Sequence, residues 1–294
     1  MLFRGNVLLA TLVFHFLVDF SPYRMWKRAK HPSGAELSFN AKLHTYKLGG
    51  YSGTLKSVST VLGDYFPFDT EAVSEKVGKM RGQDAKEIRD EWKRVSILGT
   101  NVHAHVESLL LRKERPTPAR LHGKEELFYP AATVAAQAVM KHYDILGVEE
   151  MVASKRFGIA GTIDFIARNK RTGALLIGDW KTSQTSASEW AFSSYETPAL
   201  PPVAHLPNSK MTKYALQTML YGFILRTEGY ASLFGKAVID KPMEYGIVKF
   251  SLAAEGDRVT VGYHAMDPAM LVAPDHRGLE RSSDDILRDL LTSA

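Results

Sequence analysis

The 294-residue chain contains no cysteine. That absence excludes disulfides, thiolate nucleophiles, cysteine zinc sites and cysteine-held iron–sulfur clusters, so any metal must be bound by oxygen and imidazole. The chain also lacks an apolar run long enough to span a bilayer. Val7 to Phe20 is nearly all apolar but covers only 14 residues, against about 20 for a spanning helix, and no stable membrane insertion is expected. Internal repeats, low-complexity tracts and a recognisable interdomain linker are missing as well. A strong charge imbalance is missing too: the net charge of +5 is compatible with a polyanionic partner but does not require one.

What is present is an ordinary globular composition. At 45% apolar residues the chain can fill the core of one large α/β domain or two small ones. Residues 1–40 read as a separate apolar N-terminal segment. Arg4 lies before its apolar run, and Arg24, Lys27, Arg28 and Lys30 follow. This fits a signal h-region or an organelle presequence, and equally a buried N-terminal helix.

From residue 41 onward a single domain is expected. Residues 41–62 alternate around Gly49-Gly50 as a hairpin would. Between Asp84 and Leu111, Ile88, Trp92, Val95, Val102, Val106 and Leu109 recur at helical spacing, with Gly99-Thr100 as a break or new start. A second helix is predicted over Ala131–Leu146. Three strands follow, Met151–Phe157, Gly161–Arg168 and Ala174–Lys181, the last two joined by the turn-forming run 169–173. Residues 183–210 read as a long irregular insertion. Met211–Glu228 has a helical pattern. Two strands, Glu244–Leu252 and Arg258–Tyr263, and a helix over Ser283–Leu291 complete the chain.

The 161–181 hairpin carries the chemistry. With its turn centred on Arg171, antiparallel pairing sets residue 164 opposite about 178, so Asp164 and Asp179 can meet. Side chains alternate along a strand, so Asp179 and Lys181 share a face while Trp180 points to the core. Hard divalent ions such as Mg²⁺ or Mn²⁺ prefer carboxylate oxygen, and phosphodiester cleavage needs charge neutralised on the phosphate and a water held beside it. By itself Asp-x-Lys is an ordinary ion pair; its arrival with Gly161-Thr-Ile-Asp164 at hairpin spacing is what makes it informative. Gly161 leaves room for a close approach. His103 and Glu107 lie four residues apart on one helical face, and so do Gln217 and Tyr221. An imidazole can serve Mn²⁺, whereas His105, off that face, reads as structural.

Four ordered elements, Gly-Thr-x-x-His-x-x-x-Glu (99–107), Gly-Thr-Ile-Asp (161–164), Asp-Trp-Lys-Thr (179–182) and Gln-x-x-x-Tyr (217–221), together resemble the RecB-like branch of the PD-(D/E)XK nuclease superfamily, in particular its phage-type and mitochondrial genome maintenance exonucleases. The resemblance covers roughly residues 42–252. It implies a restriction-endonuclease-like core, a central mixed β-sheet flanked by helices, and a Mg²⁺- or Mn²⁺-dependent DNA exonuclease serving DNA repair or replication. It further implies that His103, Asp164 and Asp179 bind the metal with the Trp180 carbonyl as a further ligand. Lys181 would orient or activate the attacking water, and Glu107 would support the metal shell. Gln217 and Tyr221 would position Lys181 or the DNA backbone, and Ser57, Ser59 and Thr182 would touch nucleic acid. Either Glu149 or Glu150 matches a further family acid. The missing cysteines set the chain apart from the cluster-bearing members, so no iron–sulfur cluster is expected. The long separation of Lys181 from Gln217 marks 183–210 as inserted, with Trp190, Phe192 and Tyr195 available for stacking on unpaired bases of single-stranded or free-ended DNA, or equally for packing. Phage-like similarity suits a viral or bacterial cytoplasmic protein, and the N-terminal segment suits a mitochondrial one. The rival expectation is a non-catalytic nucleic-acid-binding or scaffold protein that keeps the fold.

Overall fold

The computed structural model describes residues 26–183, 197–230, 242–253, 256–272 and 280–292. The Val7–Phe20 run and the aromatic residues Trp190, Phe192 and Tyr195 lie outside the described residues.

The described chain begins with an antiparallel meander, β1 (Trp26–Lys30), β2 (Glu36–Asn40) and β3 (Thr45–Leu48). The hairpin expected around Gly49-Gly50 is instead formed one turn earlier. Asn40 Oδ1 accepts from the N–H groups of Lys42 and Leu43 at 3.0 and 2.9 Å, and His44 takes a left-handed φ of 50°, so the Asn-based turn wins the reversal. Gly49-Gly50 only redirects the chain after β3, with the Gly49 N–H on the Glu36 carbonyl. The predicted division at residue 40/41 therefore cuts a hairpin: β1 and β2 belong to the folded unit.

A second, six-stranded sheet forms the centre. It comprises β4 (Lys56–Ser57), β5 (Tyr143–Ser154), β6 (Ile159–Asn169), β7 (Leu175–Ser183), β8 (Met243–Leu252) and β9 (Val259–Met266). β5 runs antiparallel along one edge of β6. The other edge is shared: β4 pairs in parallel with Ile159 and Ala160, and β7 pairs antiparallel from Phe165 to Arg168. Between these two pairings Gly161 to Asp164 have no strand partner on that edge among the described residues. β7 and β8 are parallel and β8 and β9 antiparallel, so the sheet is mixed.

The described residues form six α-helices, α1 (Val58–Tyr65), α2 (Thr70–Arg81), α3 (Ala85–Leu110), α4 (Glu125–His142), α5 (Lys210–Thr227) and α6 (Ser283–Thr292), of which α2 packs on α3. α1, α5 and α6 pack on one sheet face around Ile163, Ile166, Ile177 and Tyr245. α3 and α4 cover the other around Phe165, Trp180, Val248 and Phe250. The molecule is α/β, with a mixed sheet between helical layers.

α3 runs unbroken through Gly99-Thr100, where a break was predicted. An interior glycine costs about 1 kcal/mol. Leu98, Val102, Val106 and Leu110 are all buried along one stripe, each contributing about 1.5–3 kcal/mol, so packing overrides propensity. An Asp84–Glu87 capping box starts the helix. α4 ends at His142, earlier than predicted, because Tyr143 to Ile145 are drawn into pairing with β6. The described half of the expected insertion is no excursion: Ala199, Val203 and Leu206 are buried against α1 and α5, and the Leu200 N–H donates to the Tyr65 carbonyl. Three apolar residues without period gave no sequence signal for this packing.

Candidate active site

The pairing of β6 with β7 stops at Phe165 and Gly178. The Phe165 ring fills the space over Gly178, where a Cβ would lie 1.9 Å from the ring. Just past this point the Trp180 N–H donates to Asp164 Oδ2 at 2.8 Å, so a side-chain carboxylate takes a main-chain donor where the two strands part. The Trp180 ring packs between Phe165 and Phe250 and is 2% exposed, which leaves Asp179 and Lys181 together on the other face, as the alternation predicts. Lys181 Nζ donates to Asp179 Oδ1 at 2.8 Å. It also lies 2.7 Å from Oδ2, so both oxygens of the buried carboxylate face the ammonium. The Tyr214 ring on α5 lies against the ammonium, 4.5 Å from Nζ to the ring centre.

Two further elements reach the same point. α3 presents His103, with Nδ1 3.4 Å from Asp164 Oδ2. β5 presents Glu149, which neighbours Asp164 across the β5–β6 register. His103, Glu149 and Asp164 offer ligand atoms that all lie within 4.8 Å of one another. Glu149 adopts a left-handed φ of 54°, a conformation that costs a non-glycine residue about 1–3 kcal/mol and concentrates at functional sites. Of the adjacent pair Glu149 and Glu150, it is Glu149 that stands in the cluster. Glu150 folds over Gly147, where a Cβ would lie 2.5 Å from its Cγ, and burial there pushes its carboxyl up to about 7. Lys27 on β1 closes the cluster with Nζ 3.3 Å from Glu149 Oε2.

The field in this cluster is set by burial and like charge. Desolvation first, and the Asp179 carboxylate second, push the Asp164 carboxyl well above its usual range. Desolvation and the Lys181 ammonium push His103 down, which leaves a neutral imidazole with a lone pair for a cation. For Lys181 burial acts downward, but the carboxylates of Asp179 and Asp164 outweigh it and raise its pKa, so the ammonium stays charged. Glu107, one turn beyond His103, is raised by desolvation and by Glu149.

The remaining predicted residues sort by position. Tyr221 accepts from Gln217 Nε2 at 3.1 Å. Its ring lies over Gly161, where a Cβ would sit 2.5 Å from it, and it is close enough to Asp179 and Asp164 for both to raise its pKa, behind the larger effect of burial. The room left by Gly161 is thus taken by a tyrosine of α5. Ser57 caps α1, its Oγ accepting from the Thr60 N–H at 3.0 Å and bonding Ser59 at 2.9 Å. This end of β4 adjoins Ala160 rather than the acids. The Thr182 hydroxyl is enclosed and has no hydrogen bond among the described residues. His105 is buried and bonds Thr133 at 2.9 Å, the structural role expected of it.

Two residues at the site carry no weight in the sequence reading, Tyr214 and Lys27. Beside it, Lys249 is 1% exposed and stands in register with Lys181 on the neighbouring β8. A lone lysine within an apolar strand was the available signal. No known protein-family model matches the chain, and no curated relative matches it. Among the described residues no helix is long and apolar enough to cross a membrane.

Proposed function

We propose that this chain is a metal-dependent DNA nuclease of the PD-(D/E)XK type, built on a restriction-endonuclease-like core. The observation that carries the reading is the convergence of His103, Glu149 and Asp164 within 4.8 Å beside an Asp179–Lys181 pair. Each comes from a different strand or helix except that last pair, and holding several carboxylates together is repulsive unless a cation offsets it. The donor set of three carboxylates and one imidazole suits Mg²⁺ or Mn²⁺, and a bound ion would share the Asp179 carboxylate with the Lys181 ammonium. His103, Glu149, Asp164 and Asp179 would hold the metal, with the Trp180 carbonyl at hand.

A bound divalent ion supplies charge neutralisation at the phosphate and acidifies water. The protein's own groups do the rest. Lys181, paired with Asp179 and held as an ammonium by the neighbouring carboxylates, is suited to neutralise phosphate charge and to orient or activate the attacking water. Tyr214 and Asp179 fix where that ammonium points. Trp180 fixes Asp164 through its N–H, and Gln217 holds the Tyr221 hydroxyl near both acids. Exonuclease action on free DNA ends follows from the resemblance and stays part of this proposal.

The test is incubation of end-labelled linear and closed circular DNA with the full chain and Mg²⁺ or Mn²⁺. Metal-dependent cutting of the linear DNA is expected, abolished by EDTA and by Asp179→Ala or Lys181→Ala in variants that still fold. Cutting that persists at the normal rate in either variant would sink the assignment. Tight DNA binding with neither cutting nor Mn²⁺ uptake by calorimetry would establish the scaffold reading instead.

A further inference from the structure

The meander that precedes the central sheet carries a row of rings that packs on the core beneath it and is covered only in part. Lys27, Phe39 and Tyr46 stand side by side across its three strands, Lys27 opposite Phe39 and Phe39 opposite Tyr46. Farther along the same face, Leu37 and Leu48 are buried against Met151, Ala153 and Ala160. At the Lys27 end the face opens: Phe39 and Tyr46 are half-buried, and His44 at the hairpin turn is exposed. The rings form a continuous surface, with Phe39 and Tyr46 centred 4.6 Å apart and Phe39 and His44 5.8 Å apart.

This aromatic row leads into the acid cluster. Its tyrosine hydroxyl meets Thr162 Oγ1, two residues before Asp164, at 3.0 Å, and its lysine contacts Glu149. The meander is also cationic: from Trp26 to Leu48 it carries Lys27, Arg28, Lys30, Lys42 and Lys47 against a single acid, Glu36. Of these, Lys27 shares the ring face, while Arg28, Lys30 and Lys47 fall on the other face of the meander. Rings beside an ammonium on a cationic sheet suit unpaired bases and their phosphates, whereas in a duplex the base faces are occupied by neighbouring pairs.

We infer that the Phe39–Tyr46–His44 surface is a stacking platform for single-stranded DNA, guiding an unpaired strand past Lys27 to the acid cluster. The inference rests on the nuclease reading for its destination, but the platform itself can be tested without cutting.

Two substitutions keep the fold while removing rings. Phe39→Leu preserves the apolar packing, and His44→Gly suits a turn position with φ of 50°. Binding of a fluorescent oligothymidylate to the full chain is measured by anisotropy in EDTA, beside a blunt hairpin duplex. Hydrolysis of bis(4-nitrophenyl) phosphate with Mn²⁺, a diester without bases, reads the acid cluster alone. Each variant is expected to lose about 5- to 10-fold in affinity for the oligothymidylate, with duplex binding, melting temperature and diester hydrolysis unchanged. Unchanged oligothymidylate affinity in both variants overturns the platform, and so does an equal loss for duplex and single strand. A wild-type protein inert towards DNA and the small diester, but still binding oligothymidylate through these rings, overturns the nuclease reading and leaves the platform standing.

Discussion

The Trp180 N–H and the Asp164 carboxylate are joined at 2.8 Å at the point where β6 and β7 cease to pair. One carboxylate oxygen is thereby committed to the protein, and the orientation of the other is set by the backbone of the neighbouring strand. Asp164→Asn tests this arrangement. The amide oxygen can still accept from Trp180, while one negative charge leaves a crowded group. The variant is expected to melt within about 4 °C of wild type and to bind Mn²⁺ at least about tenfold more weakly, as scanning and titration calorimetry would read. Normal Mn²⁺ affinity would remove Asp164 from the site.

Glu149 sits in a left-handed conformation and adds its charge to that of Asp164. Asparagine tolerates this conformation far better than most residues, and the Lys27 pair lost with it is half exposed and contributes little. Glu149→Asn is therefore expected to stabilise the metal-free protein by about 1 kcal/mol in urea unfolding while DNA cutting is lost. A destabilised variant would show that Glu149 supports the fold rather than a ligand.

Gly161 and Tyr221 form a tight pair across the sheet–helix interface. In Gly161→Ala the new methyl meets the Tyr221 ring at 2.5–3.0 Å, and the ring is buried, so overpacking is expected to cost about 1–3 kcal/mol. Trimming the ring in Gly161→Ala with Tyr221→Leu should recover part of that loss. Strictly additive effects in a double-mutant cycle would mean that the two residues are not in contact.

Away from the acids, Glu125 ties α3 to α4. It is 5% exposed and accepts from the His122 and Gly123 N–H groups and from Asn101 Nδ2. Burial acts to raise its pKa, but these hydrogen bonds outweigh it and bring the carboxyl down to about 2. A carboxyl depressed by folding contributes stability above its unfolded pKa of about 4.5. That contribution is lost as pH falls from about 4.5 towards 2. Glu125→Gln is expected to cost about 1–3 kcal/mol at pH 7 and to flatten acid unfolding in this window, followed by circular dichroism. An unchanged acid transition would contradict the assignment.

The chemistry of the central hairpin was legible because it is local. A five-residue turn fixes which residues face each other, and the period of two fixes which share a side, so the meeting of Asp164 with the Asp179 strand followed from counting. His103 and Glu107 could be placed on one helical face for the same reason. What they face could not, since nothing in α3 records the distance to β5.

Glu149 and Glu150 show that limit most clearly. They are adjacent, identical in chemistry and equal by spacing, and which of them reaches the cluster depends on how β5 is seated against β6. The Gly99 break and the Gly49-Gly50 hairpin failed on the same ground: a local preference of about 1 kcal/mol gives way to the burial of a helix stripe or to an Asn-based turn.

The sequence by itself determined the residue types, the hairpin register to within one residue, and the alternation that places Asp179 and Lys181 on one face, all consequences of short-range backbone geometry. Only the tertiary structure decided that β5, α3 and the N-terminal meander converge there, bringing Glu149, His103, Lys27 and the aromatic row to the same edge. Those contacts are made between segments tens of residues apart, and what selects them is the packing of the two helical layers and the meander on the sheet, a property of the assembled core that no single stretch of chain encodes.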